Sequence, residues 1–221
     1  MKSAEDRIRQ LAAAQSLDSE DAARLLDALR PPAIVPHSES VLANPFARHG
    51  GGTTAIAGGV IAALALLVSQ VGVRFDGALD VHTVGAPVAL PTALVDQLVA
   101  LPLTAVVFWS LARTASRSTR VVDVLGVVGV SRAPSMLLAI PLGLYGLRSS
   151  HAAGASPAAG LSFVLGALIL LGLGGLGAQI YLLFVGFRTV TGIRGGALTW
   201  RFIAALVVAE VLSKVVLSLA I

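Results

Sequence analysis

Four ionisable side chains, Asp96, Arg132, Glu210 and Lys214, interrupt long apolar stretches of this 221-residue chain. An ionised group at the middle of a bilayer costs about 2.5 to 3.5 kcal/mol on insertion scales, so each needs a partner or a task. Two kinds of chemistry fit: a polar path for a proton or small solute, and charge pairing that glues helix to helix. Pairing is the favoured reading. Arg132 stands about eleven residues into its apolar stretch, roughly 16 Å, and Glu210 about nine into its own, roughly 14 Å, at 1.5 Å per residue. Their matched depth predicts an Arg132 to Glu210 ion pair in which each charge satisfies the other. Lys214, roughly 20 Å in, and Asp96, roughly 24 Å from the same side, form a second expected pair. The alternatives are that Lys214 snorkels outward, that Asp96 sits beside Gln97 near the headgroups, or that Glu210 and Lys214 pair four apart on one helix.

Other constellations are weaker. Asp76, Asp80 and His82 share one loop, with His151 in another, and carboxylates plus imidazole are cation ligands. Polar residues are expected wherever a loop meets water, so the expectation is no metal and no cofactor. Gly172, Gly174 and Gly177 fit the G-x-G-x-x-G spacing of a dinucleotide-binding turn, but no strand precedes them and no acidic ribose partner follows. Inside an apolar stretch they read as close helix packing, as do Gly58, Gly59, Gly143 and Gly146. There is no H-E-x-x-H and no G-x-S-x-G, and Asp96 and Asp123 fall near opposite leaflets, too far apart to share a proton. No enzyme is expected. The chain has no cysteine, which removes thiolate chemistry and disulfides together.

The elements that must hold these residues follow from bilayer thickness. A hydrocarbon core about 30 Å thick needs roughly 20 helical residues. Five stretches qualify: residues 53–73, 91–112, 121–147, 160–187 and 201–221. The fold class is therefore all-α, a polytopic bundle of five transmembrane helices, and with 56% hydrophobic against 13% charged residues the chain could not coat a soluble core. Arg48, then Arg113, Arg117 and Arg120, then Arg188, Arg194 and Arg201 mark alternate ends of the spans. The positive-inside rule puts those ends and the N-terminus in the cytoplasm and Ile221 outside, in a cell (inner) membrane. The net charge of +4 is topological, since six basic and seven acidic residues lie through Gly52 and ten against five beyond it. Nucleic acid is not an expected partner, because no basic cluster is interleaved with aromatics.

Residues 1–30 lack the continuous apolar core of a signal peptide and read as a small helical hairpin. Ile8, Leu11 and Ala12 share one face of the first helix, and Ala22, Leu25, Leu26 and Leu29 share a face of the second. Asp18 is the expected N-cap of the second helix, Leu17 a staple onto Ala22, and Pro31 and Pro32 its end. About thirty residues bury little by themselves, so the hairpin predicts a protein partner or self-association. Residues 31–52, rich in Pro, Ser, Asn and Gly, read as a flexible linker.

The run from Leu17-Asp18-Ser19-Glu20-Asp21 to Leu29 resembles the bihelical SHOCT-like module. From Asn44-Pro45-Phe46 onward the chain resembles bacterial members of the Yip (Ypt-interacting protein) family. That likeness rests on the loop from Phe75-Asp76-Gly77 to Asp80-Val81-His82, on a third span broken at Ser131-Arg132-Ala133-Pro134, and on the five-span plan. The Asp-Leu-Tyr-Gly-Pro motif of the eukaryotic branch is missing. The resemblance implies an integral membrane protein without an established activity; the expectation for this chain is a scaffold or adaptor in membrane organisation without catalytic activity, and the alternative is a permease for an ion or small solute, lined by Arg132, Glu210, Lys214 and Asp96.

Overall fold

A helix must run for about 20 apolar residues to cross a bilayer, and five helices here do so: Gly51–Val71, Leu90–Arg113, Val121–Arg148, Phe163–Thr191 and Gly196–Leu219. The computed structural model describes residues 4–14, 18, 20–22, 25, 44–47, 51–114, 116, 118–151 and 159–220, and only the backbone of 4–7, 9, 149–151, 159–162 and 220. The chain forms two compact units, Met1–Glu39 and Ser40–Ile221. It is a multi-pass membrane protein. Its surface carries Ile56, Leu67, Leu98, Phe163, Leu170 and Leu219, each more than 60% exposed, which only lipid can cover at such density.

In the first unit, helix α1 spans Ala4–Ala13. Residues 20–22 and 25 are helical, and the Ala22 amide donates to the Asp18 carbonyl at 2.9 Å, so a turn begins where the sequence places its N-cap. Ala22 is buried, whereas Leu11 and Leu25 are about half exposed. Leu17, Leu26, Leu29 and most of the linker lie outside the described residues.

The second unit contains α2 (Gly51–Val68), a 3-10 turn (Ser69–Val71), α3 (Leu90–Arg113), α4 (Val121–Ser131), α5 (Ala133–His151), α6 (Ala159–Thr191) and α7 (Gly196–Ala220). Alpha-helical boundaries differ from expectation by a few residues, chiefly at the start of α7, which begins at Gly196 because the three residues after Gly192 close the turn. Gly192 and Gly195 there hold φ of 68° and 65°, the left-handed region that favours glycine. The third span is broken as expected. Pro134 has no N–H for the Val130 carbonyl, and the helix interrupts at Arg132 before resuming at Ala133. Pro141, whose missing N–H makes a second break in the same span an expectation, instead lies inside an unbroken helix, as does Pro102.

Two features depart from a purely helical membrane domain with a free tether. The loop between the first and second spans forms a two-stranded antiparallel ladder, β1 (Val73–Arg74) with β2 (His82–Thr83), pairing Val73 with Thr83 and Arg74 with His82. Phe46, in the stretch read as flexible linker, is 5% exposed and belongs to the aromatic core with Phe108, Phe187 and Phe202. Asn44 holds this stretch, donating to Thr189 Oγ1 and accepting from the Phe46 amide. Burial of an aromatic ring outweighs the entropy of a short tether.

Packing follows small residues. α2 lies mainly on α4, α3 on α7, and α5 and α4 on α6, while α6 and α7 touch each other little. At the α2 to α4 crossing a Cβ added to Gly129 would stand 2.5 Å from the Gly58 Cα, whereas one added to Gly174 would meet nothing within 4 Å. The packing reading holds for Gly58, Gly143 and Gly146, which lie against Gly129, Val71 and Thr83, and is corrected for Gly59, Gly172, Gly174 and Gly177, where an added Cβ would meet nothing within 4 Å. Gly129→Ala is expected to lower stability by about 1–3 kcal/mol through overpacking. Gly174→Ala should leave it unchanged or raise it slightly. Thermal unfolding in detergent compares them, and equal losses would contradict the packing.

Candidate functional site

Residues 72–89 connect the first and second spans, and instead of remaining at the surface their middle turns into the bundle. Gly72, at φ 78°, donates to the Ser69 carbonyl and starts the turn; its own carbonyl accepts from Val84. Val73, Phe75 and Ala78 are 3% exposed or less. Irregular backbone at this depth needs protein partners for its peptide groups, since lipid offers none.

Three consecutive residues receive those partners from three different spans. The Gly77 carbonyl accepts from Arg132 Nη2 at 2.8 Å, the Ala78 carbonyl from Gln179 Nε2 at 2.9 Å, and the Leu79 amide donates to Glu210 Oε2 at 2.9 Å. The second span joins through Gln97, whose Oε1 accepts from Arg132 Nη1 at 3.2 Å. Ser135 Oγ donates to Gln179 Oε1, which turns the amide nitrogen toward the loop. A Cβ added to Gly77 would stand 2.6 Å from Glu210 Oε1 and 2.9 Å from the Asp80 Cβ, so a larger residue there would displace the Glu210 carboxylate. Gln179 lies about twelve residues from Thr191, roughly 18 Å, close to the depths of Arg132 and Glu210. The loop tip therefore reaches the middle of the bundle.

A shallower layer is ionic. Arg74 grips Asp96 through both oxygens, Nε to Oδ2 at 2.8 Å and Nη2 to Oδ1 at 3.0 Å, and Asp96 is 1% exposed. Lys214 Nζ donates to Asp76 Oδ1 at 2.9 Å and also to Asp80 Oδ2. His82 Nδ1 stands 3.2 Å from Asp80 Oδ1 and 3.6 Å from Asp76 Oδ1. The bidentate contact with Asp96 is the main cause that raises the Arg74 guanidinium above its ordinary range. Burial alone would raise the Asp80 carboxyl, yet hydrogen bonds from Lys214 and His82 outweigh it and hold Asp80 below the usual carboxylate range.

Both expected ion pairs are thereby corrected. Arg132 and Glu210 converge on one loop without an ion pair between them, their charges attracting across Gly77 to Leu79. Asp96 belongs to Arg74, and Lys214 belongs to Asp76 and Asp80, so neither the Lys214 to Asp96 nor the Glu210 to Lys214 pair forms. Depth matching failed because it left the loop outside the membrane domain. Gln179, Ser135 and Gly77 were missed; a lone amide inside a 33-residue apolar helix was the available signal. The ligand atoms of Asp76, Asp80 and His82 do lie within 4.8 Å of one another, as a cation site requires, and the cation that meets both carboxylates is the Lys214 ammonium. The His151 side chain lies outside the described ones. Asp123 pairs with Arg120 in the first turn of α4, far along the chain from Asp96.

Double-mutant cycles separate these arrangements. Arg74→Gln with Asp96→Asn should show coupling of about 1.5–3 kcal/mol, the range for charged hydrogen bonds. The cycle of Arg132→Gln with Glu210→Gln should show less, since those groups meet only through the loop; a larger value there would restore the direct pair. Acid provides a further test. Asp80 binds its proton less readily folded than unfolded, so its stabilisation is present at neutral pH and is lost as pH falls below about 4. Asp80→Asn should flatten the acid limb of the stability profile, and a profile as steep as the unmodified protein's would count against it.

No family model, no curated protein and no solved structure matches this chain. The likeness to Yip and SHOCT-like proteins therefore rests on the residues quoted above alone.

Proposed function

We propose that this protein is an integral membrane scaffold or adaptor of the Yip-like type, without catalytic activity, whose N-terminal hairpin engages a protein partner or a second copy of itself. The observation that carries this reading is how the intramembrane polar groups are used. Asp96, Arg132, Gln179, Glu210 and Lys214 are all committed to fixing one loop in the bundle. Among the described residues the buried side-chain nitrogen or oxygen without a partner is Thr119 Oγ1, beyond the arginine-bearing end of α3 rather than in the loop site. A path for solute would need polar atoms left to exchange partners with it, so this saturation favours a rigid platform over a permease.

The half-exposed Leu11 and Leu25 support the second part of the reading, since a unit of this size gains stability by covering such residues. The charge distribution supports a cytoplasmic N-terminus and an external C-terminus in the cell membrane. Reporter fusions at both ends should show opposite faces. Cross-linking capture from native membranes, with the full chain and with residues 1–29 removed, tests the adaptor role: the recovered partners should depend on the hairpin. Identical recovery after truncation, or solute flux through reconstituted vesicles, would overturn it.

A further inference from the structure

The two ends of the bundle treat their charges differently. At the loop end Arg74 and Lys214 each meet carboxylates of the same chain, and a single exposed arginine, Arg148, has no acidic partner among the described residues. At the opposite end Arg120 pairs with Asp123. Arg188, Arg194 and Arg201 have no acidic partner among the described residues, although all three lie within the fourteen residues that end α6, turn at Gly192 and Gly195, and begin α7.

Arg201 is also positioned. Its Nε approaches Thr114 Oγ1 at 3.4 Å, its Nη1 donates to the Ala197 carbonyl at 3.2 Å, and its guanidinium lies 5.0 Å over the ring of Trp200. These contacts orient the cation without neutralising it. Trp200 is 55% exposed near the end of a spanning helix, where an indole sits at headgroup depth with its apolar body in lipid. Arg188 and Arg194 are exposed beside it in sequence, and the N-terminal end of α7 adds the positive pole of its dipole. Three cations without an acidic partner among the described residues, together with an interfacial tryptophan, fit one class of partner already present at that depth.

We propose that the Arg188 to Arg201 turn, with Trp200, is a binding site for the phosphate headgroup of anionic phospholipid in the leaflet that faces the arginine-bearing end. The site does not depend on the scaffold reading, and it acts on lipid rather than on a protein partner. Arg201 supplies the oriented fork, Arg188 and Arg194 supply the field, and Trp200 contacts the adjoining acyl region.

The full chain in mixed micelles of phosphatidylcholine and phosphatidylglycerol, examined by native mass spectrometry, should retain phosphatidylglycerol preferentially. Replacing Arg188, Arg194 and Arg201 together by Gln should reduce that preference by about fivefold for each arginine removed. An unchanged preference would overturn the site. A second measurement keeps those arginines intact: Trp109→Phe leaves Trp200 as the sole tryptophan, because the chain has two. Brominated phosphatidylglycerol should quench it more than brominated phosphatidylcholine, and equal quenching refutes the proposal. Excess inorganic phosphate should leave the quenching difference intact; its abolition would assign the turn to free phosphate instead of lipid.

Discussion

A peptide group at membrane depth must find its hydrogen-bond partners within the protein, and the capture of Gly77, Ala78 and Leu79 is how this chain meets that constraint. The three partners come from different spans, and Gln97 adds a fourth through Arg132. The loop is therefore the common contact of helices that otherwise meet unevenly. α6 and α7 touch little along their lengths, yet Gln179 of one and Glu210 of the other hold adjacent peptide groups. Anchoring the loop and positioning the fourth and fifth spans are one physical event.

The chemistry is graded with depth. Deep in the bundle a single arginine and a single glutamate address neutral peptide dipoles, with neutral amides from Gln97 and Gln179 completing the set. Nearer the loop end the partners are ions, and Arg74 with Asp96 and Lys214 with Asp76 and Asp80 close over the captured backbone. This order suits the cost of desolvation. A charge opposite a peptide dipole asks for one ionised group to be buried, whereas a direct pair asks for two. In those pairs the cationic partners keep part of their hydration, with Arg74 24%, His82 41% and Lys214 39% exposed, while the Asp96 carboxylate is buried.

Span number, span limits and the break near Pro134 were legible because hydrocarbon thickness and a missing N–H act locally on the sequence. Arg132, Glu210, Asp96 and Lys214 were legible as costly groups. Their partners were not, since depth counting treats each loop as water-facing and compares only helix with helix. Arg74, Asp76 and Asp80 consequently read as surface charges, although one cation and two acids in a single short loop complement the Asp96 and Lys214 of the neighbouring spans. Phe46 escaped notice for a related reason. A solitary aromatic among Pro, Asn and Gly has no periodicity, and its burial depends on a socket beside Gly186 and Val127 that only the folded bundle supplies.

The interruption of the third span and the entry of the loop are two parts of one solution. The break between Ser131 and Ala133 divides the third span into α4, which packs on α2 and α6, and α5, which packs on α6. Arg132 caps α4 at that junction, with its amide bonded to the Gly129 carbonyl and its guanidinium extended to Gly77 and Gln97. The residue at the break is therefore the one that reaches both the second span and the loop. A hinge so occupied is held rather than free: for α5 to move against α4, Arg132 would have to release the loop carbonyl and the Gln97 amide together. The bundle thus resists rearrangement at the place where its helix is weakest.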